Sequence, residues 1–277
     1  MPEIKSKICF LTTQKMQLNF PLFVFLPGLD GTGQLLRSQT IGLTERFDVR
    51  CLAIPPDDLN NWEILTRETI ELVETEIAKG RPDRPVYLCG ESFGGCLALK
   101  MILQAPHLFQ RLILVNPASS FNRKPLLSWG SQFVPWLPEF FQQWSLIGFL
   151  PFLASLERMR ATDRRELLDT IRMVPQRTSV WRLELLREFS VTEAELRSIT
   201  QPTLLVGSAT DRLLPSLSEV TYLAEMLPQA QVFVLPNSGH ACLLEMDVNL
   251  YEIMKQQHFL ADGLSFTSSS FDQQLSS

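Results

Sequence analysis

Histidine is scarce in this chain. There are three in 277 residues, His107, His240 and His258. Chemistry that needs an imidazole base therefore has few places to find one. Positive charge is also short. Twenty-five Lys and Arg face 30 Asp and Glu, giving a net charge of −5. No basic run is present, so nucleic acid is not an expected partner. No uninterrupted apolar stretch approaches the ~20 residues of a transmembrane helix. Met1-Pro2-Glu3-Ile4-Lys5 lacks the apolar core of a signal peptide. The five cysteines cannot all pair. Cys89, Cys96 and Cys242 read as small buried packing residues in a reducing, cytoplasmic setting. No ligand cluster is visible, so neither a metal nor a cofactor is expected.

What the chain has is apolar: 45% of its residues are hydrophobic. That content supports one large core. No internal repeat is visible. Strands are predicted near 22–27, 47–54, 85–91, 111–116, 203–207 and 231–235. A short antiparallel edge strand or hairpin is expected within 6–20. Helical spacing of Trp62, Leu65, Leu72, Val73 and Ile77 predicts a helix over 61–79. Strands alternating with helices imply an α/β fold, a mostly parallel sheet with helices on both faces. The alternation breaks between Val115 and Thr203, where a helical cap or lid is expected. The expected division is a core of 1–118 and 195–261, a cap of 119–194 and a disordered polar tail from 262.

Residues 90–95 read Gly-Glu-Ser-Phe-Gly-Gly directly after the apolar run Val86-Tyr87-Leu88-Cys89. A serine on such a strand-to-helix turn has a strained backbone and an exposed hydroxyl. Ser92 is therefore the candidate nucleophile. His107 reads as a surface helix end and His258 lies near the C-terminus. His240 follows the strand-like run Val232–Leu235 in a turn, and is the candidate base. Asp211 follows the buried run Thr203–Gly207, where open α/β sheets place chemistry. It is the candidate orienting carboxylate; the competing assignment is a helix cap for the segment from Pro215. The order Ser92, Asp211, His240 is that of α/β hydrolases.

A fourth element follows the apolar run Leu22–Leu26: Pro27-Gly28-Leu29-Asp30-Gly31-Thr32-Gly33. Three glycines in six residues suggest close backbone approach. The expected oxyanion donors are the backbone N–H groups of Leu29 and Phe93. The competing reading is a phosphate-binding loop, against which the spacing is not Gly-x-Gly-x-x-Gly and no Gly-Lys-Ser/Thr follows. Asp30 is expected to cap or brace this loop.

These motifs resemble the α/β-hydrolase superfamily over nearly the whole chain. Pro27–Gly33, Gly90–Leu99 and Gly239–Glu245 are similar to the hydrolase half of plastid esterase/lipase/thioesterase proteins, which make phytyl esters and triacylglycerol. Those proteins carry a second, acyltransferase domain with a His-x4-Asp motif. No histidine here has aspartate at the fifth following position, so no such domain is expected within these residues. The resemblance therefore implies a serine hydrolase of carboxylic esters or thioesters, with acyl transfer to a hydrophobic alcohol as the alternative. The cap region is crowded with aromatics. Trp129, Phe133, Trp136, Phe140, Phe141 and Trp144 are expected to line an acyl site or give transient contact with a membrane surface. The competing expectation is a cap that only buries its own small core. The partner expected is a small-molecule acyl ester or lipid; the sequence sets no oligomeric state.

Overall fold

The computed structural model describes residues 7–12, 16–81, 83–123 and 154–261. Seven strands form one sheet among them: β1 (Cys9–Thr12), β2 (Leu22–Leu26), β3 (Asp48–Ala53), β4 (Val86–Glu91), β5 (Arg111–Val115), β6 (Thr203–Ser208) and β7 (Ala230–Leu235). Their order is β1-β3-β2-β4-β5-β6-β7. Neighbours from β3 to β7 run parallel. β1 alone is antiparallel, with Cys9 opposite Ala53. The expected edge element is thus a single strand on β3. The predicted strands hold to within a residue or so at each end.

Alternation along the strands sorts side chains into two cores. Leu22, Val24 and Leu26 of β2 join one cluster, with Val86 and Leu88 of β4 and Leu112 and Leu114 of β5. Phe23, Phe25, Tyr87, Cys89, Ile113 and Val115 face the other way. These strands are apolar on both faces because both faces are covered. The first face is covered by α2 (Trp62–Lys79), α3 (Phe93–Gln104) and α7 (Ser216–Met226). The second is covered by residues of α1 (Thr40–Leu43) and α8 (Leu250–Gln256).

Between β5 and β6 the described residues form α4 (Ala161–Met173), α5 (Gln176–Glu188) and α6 (Glu193–Ser198). α6 opens on a capping box, in which Thr192 and Glu195 satisfy each other's backbone N–H. α5 does not bury a core of its own. Leu185 and Leu186, with Phe189 just beyond, join the main cluster that also holds Trp62 and Phe93. Trp129, Phe133, Trp136, Phe140, Phe141 and Trp144 lie outside the described residues, as does the tail from 262. Among the described residues no helix is long and apolar enough to cross a membrane.

The topology fixes where a site can be. From β2 the chain crosses to β3 on one side and returns to β4 on the other. The loops leaving β2 and β4 therefore diverge, and a crevice opens above their carboxyl ends. Leu26 and Gly90 are paired across that point. The glycine-rich turn and Ser92 both leave the sheet there.

Candidate active site

Ser92 joins β4 to α3 with φ 53° and ψ −113°. A non-glycine residue rarely adopts this backbone, at a cost of ~1–3 kcal/mol. The surroundings hold it there. The Ser92 N–H donates to the Val115 carbonyl at 3.0 Å. The Ser92 carbonyl accepts from Gly95 at 2.9 Å and Ala118 at 3.1 Å. The flanking glycines are steric necessities. A Cβ on Gly90 would lie 2.3 Å from the Gly94 carbonyl oxygen, and one on Gly94 would lie 2.1 Å from that of Leu26.

The result is a hydrogen-bonded chain of three side chains. His240 Nε2 lies 2.9 Å from Ser92 Oγ. His240 Nδ1 lies 2.7 Å from Asp211 Oδ2. The Asp211 side chain is 1% exposed and that of His240 7%, so water does not compete for the bond between them. Burial pushes the Asp211 carboxyl up. The hydrogen bond and charge of His240, with donors from Ser216 and Leu214, outweigh burial and hold it below its usual value. Asp211 also has a local task. Its Oδ1 accepts the N–H groups of Leu213 at 2.8 Å and Leu214 at 3.0 Å, and its Oδ2 accepts the Ser216 hydroxyl. The competing assignment as a helix cap is not what the structure shows: α7 has Pro215 at its N-cap with no side-chain cap bond, and Asp211 instead braces the preceding turn through Oδ1 while Oδ2 faces the imidazole. His107 and His258 are exposed.

The glycine-rich turn lies alongside. Gly28 is close enough that a Cβ there would sit 3.8 Å from that of Ser92. The Gly31 N–H closes the turn on the Gly28 carbonyl at 3.0 Å. Asp30 braces it, accepting the Thr32 N–H at 2.9 Å and hydroxyl at 2.6 Å. Gly31 and Gly33 have φ of 68° and 66°, which only glycine adopts without cost. Phe93 is the first residue of α3, so its N–H has no intrahelical acceptor. Its ring stacks on Trp62 at 4.8 Å. The positive end of the helix dipole thus meets the serine hydroxyl.

Residues 57–247 match the family described as Serine aminopeptidase, S33 (Hydrolase_4). The chain belongs to this family of α/β hydrolases. The hydrolase is 31% identical over 85% of its length to phytyl ester synthase 1, chloroplastic, of Arabidopsis thaliana, and 33% identical over 89% to phytyl ester synthase 2. It spans only 36% and 39% of those two proteins. It is 29% identical over 61% of its length to a pimeloyl-[acyl-carrier protein] methyl ester esterase of Nitrosomonas europaea, covering 70% of that protein. Among solved structures, an esterase of Exiguobacterium antarcticum superposes with TM-score 0.72 at 16% identity, covering 91% of this chain and 92% of that one. That likeness shows the α/β-hydrolase fold.

Several residues of the hydrolase's site gave no sequence signal that singled them out. Asn116, buried with φ 43°, directly follows β5. Its Nδ2 donates to the His240 carbonyl at 2.7 Å and Ser208 Oγ at 2.9 Å, and its Oδ1 accepts the Ser208 N–H. It ties the histidine loop to β6. The Asn116-Pro117 pair after an apolar run was the available cue. Glu245 accepts the Gly239 N–H at 2.8 Å and Arg158 Nε at 2.7 Å. That fixes the backbone just before His240. Glu91, beside Ser92, is pushed up to about 8 by burial, with the nearby charge of Asp30 adding to it. The buried cysteines Cys89, Cys96 and Cys242 have thiols held well above their usual value by burial. Among the described residues no group of His, Cys, Asp or Glu could hold a metal.

Proposed function

We propose that this protein is a serine-nucleophile hydrolase of carboxylic esters or thioesters that works through an acyl-enzyme. The observation that carries the reading is the unbroken hydrogen-bond chain Ser92–His240–Asp211 at 2.9 and 2.7 Å, at the crevice above β2 and β4. His240 Nε2 accepts the Ser92 proton as Oγ bonds to the substrate carbonyl carbon. Asp211 holds the Nδ1–H, which keeps the tautomer and stabilises the imidazolium. The Leu29 and Phe93 N–H groups receive the oxyanion, each such donor being worth ~3–4 kcal/mol in comparable sites. The imidazolium then returns its proton to the leaving alcohol or thiol. Water, deprotonated by His240, releases the acid and restores Ser92. An apolar acyl group is suggested by the aromatic content of the sequence over 129–144, since an aromatic side chain that packs on an acyl chain contributes ~1.5–3 kcal/mol.

A second outcome of the same acyl-enzyme is transfer to an alcohol. The names of the two plant relatives favour it. Hydrolysis of graded acyl esters with and without a long-chain alcohol separates the two by product.

The reading itself is tested with an active-site fluorophosphonate. The wild-type chain should be labelled once. Ser92→Ala should abolish labelling with melting temperature and circular dichroism unchanged. Stoichiometric labelling of a folded Ala variant would move the nucleophile elsewhere.

A further inference from the structure

Arg182, on α5, is 2% exposed although it carries a permanent charge. Its guanidinium spans two loops that leave the sheet. Nη1 donates to the Leu29 carbonyl at 2.7 Å. Nη2 donates to the Pro55 carbonyl at 3.2 Å and reaches that of Ile54 at 3.5 Å. The group also lies flat on Gly31, where an added Cβ would stand 2.6 Å from Nη1. The Ile54 N–H closes the assembly by donating to the Gly31 carbonyl at 2.7 Å. Burial pulls the Arg182 pKa down; the charges of Asp30 and Asp58 push the other way. A planar fork with several donors suits this geometry, whereas an ammonium would reach only one carbonyl well.

The contact falls on both neighbours of Asp30. The turn from Gly28 to Gly31 contains the Leu29 N–H assigned above to the oxyanion. Two braces of that turn are local: Gly31 to Gly28, and Thr32 to Asp30. From outside, the turn is held by the Ile54 N–H on Gly31 and by the side chain of Arg182 on Leu29, and Arg182 comes from the segment inserted between β5 and β6. We infer that Arg182 is a positioning residue for the oxyanion-binding turn, so that the inserted helices complete the active site rather than only cover it. This rests on the serine-hydrolase reading above. An oxyanion donor is effective only when it is held where the charge develops. A misplacement near 1 Å can cost about 10²-fold in rate. The effect is expected in turnover and not in ground-state binding.

The test compares wild type, Arg182→Ala, Arg182→Lys and Trp181→Phe. Trp181 lies on the same helix and donates its Nε1–H to the Asn60 carbonyl at 3.0 Å; its loss removes a similar tie without touching the turn. Labelling by fluorophosphonate, taken to completion, counts folded sites. Per labelled site, Arg182→Ala should lower kcat on a short acetate ester about 10²-fold, with KM within roughly threefold. Inhibition by a trifluoromethyl ketone, which forms the tetrahedral adduct, should weaken in parallel. Millimolar guanidinium ion should restore at least about tenfold of the lost kcat in the Ala variant. Trp181→Phe should lower melting temperature with kcat per site unchanged. If Arg182→Ala does not fold, Arg182→Lys decides, with an expected loss of about tenfold. Arg182 variants that retain wild-type kcat per labelled site and lose only melting temperature overturn the inference. A wild-type chain that takes no label removes the hydrolase reading itself, and this one with it.

Discussion

At the scale of single residues, two carboxyls near Ser92 are set apart by their surroundings. Asp211 is held below its usual value, its burial being outweighed by the hydrogen bond and charge of His240. Asp211→Asn keeps its shape but stabilises the wrong imidazole tautomer. In the best-known triad that change costs about 10⁴ in kcat, and a similar loss is expected here from steady-state kinetics. Glu245 and Asp247, both paired with Arg158, are the carboxylates to substitute next if Asp211→Asn and Asp211→Ala prove nearly silent. Glu91 is the opposite case. Its folded value, about 8, lies above the ordinary 4.5. A raised carboxyl contributes stability that is complete below 4.5 and is lost as pH rises through about 8. Glu91→Gln, always neutral, should gain melting temperature on wild type steadily across that window and no further above it. Wild-type kcat should fall above about pH 8, where an anion beside Ser92 opposes a developing oxyanion, and the Gln variant should keep its plateau. A pH–rate profile of the two proteins checks both halves.

At the scale of elements, legibility followed chain locality. Gly90-Glu91-Ser92-Phe93-Gly94 announces an elbow because its causes are adjacent: a buried strand before it, a helix after it, and no room for a Cβ. Asp211 and His240 were readable for the same reason, each directly after an apolar run that becomes β6 or β7. Arg182 and Asn116 were not readable in this way. Their partners are backbone carbonyls 153 and 124 residues away, and any donor of the right reach leaves the same trace in sequence. The helices of 154–198 were legible only as an absence of strands. α5 joins the main core through Leu185, Leu186 and the following Phe189, by a tertiary contact with Trp62, whose Nε1–H donates to the Leu185 carbonyl at 2.7 Å, whereas Leu167 of α4 packs in a separate small cluster with Leu35 and Leu244. The elbow's sterics make their own prediction. Gly94→Ala drives a Cβ to 2.1 Å from the Leu26 carbonyl oxygen, and backbone on both sides cannot yield cheaply. Overpacking of this kind costs ~1–3 kcal/mol or more. The variant should melt well below wild type and label slowly with fluorophosphonate, since α3 must shift and Ser92 with it. Wild-type melting and labelling would mean that the elbow is looser than these contacts require.

At the scale of the whole molecule, the two ends of the sheet do different work. The carboxyl ends of the strands carry Ser92, Asp211, His240 and the glycine-rich turn. Near the amino ends lies a buried ionic network. Asp48, the first residue of β3, accepts from Arg50 Nη1 at 2.7 Å and Arg84 Nη1 at 2.9 Å, and Arg50 Nε donates to Glu76 on α2 at 2.7 Å. The network joins β3, α2 and the loop into β4, elements that meet where the chain enters the sheet. Burial pushes Asp48 and Glu76 up, but their arginine and lysine partners outweigh it and hold both below their usual values. The stability they contribute is therefore present above about pH 4 and lost as pH falls through the lowered values. Asp48→Asn leaves two buried guanidinium groups short of a counter-charge. Breaking a buried pair from one side costs about 3–5 kcal/mol, a fall of roughly 5–15 °C in melting temperature for a chain of this size. The acid limb of the stability curve should become shallower, because one of the groups that must be protonated is gone. Turnover per fluorophosphonate-labelled site should stay within about twofold, since the network supports the sheet from the end remote from the chemistry. A parallel fall in kcat per site would show instead that strain at the amino ends is transmitted along β3 and β2 into the oxyanion turn.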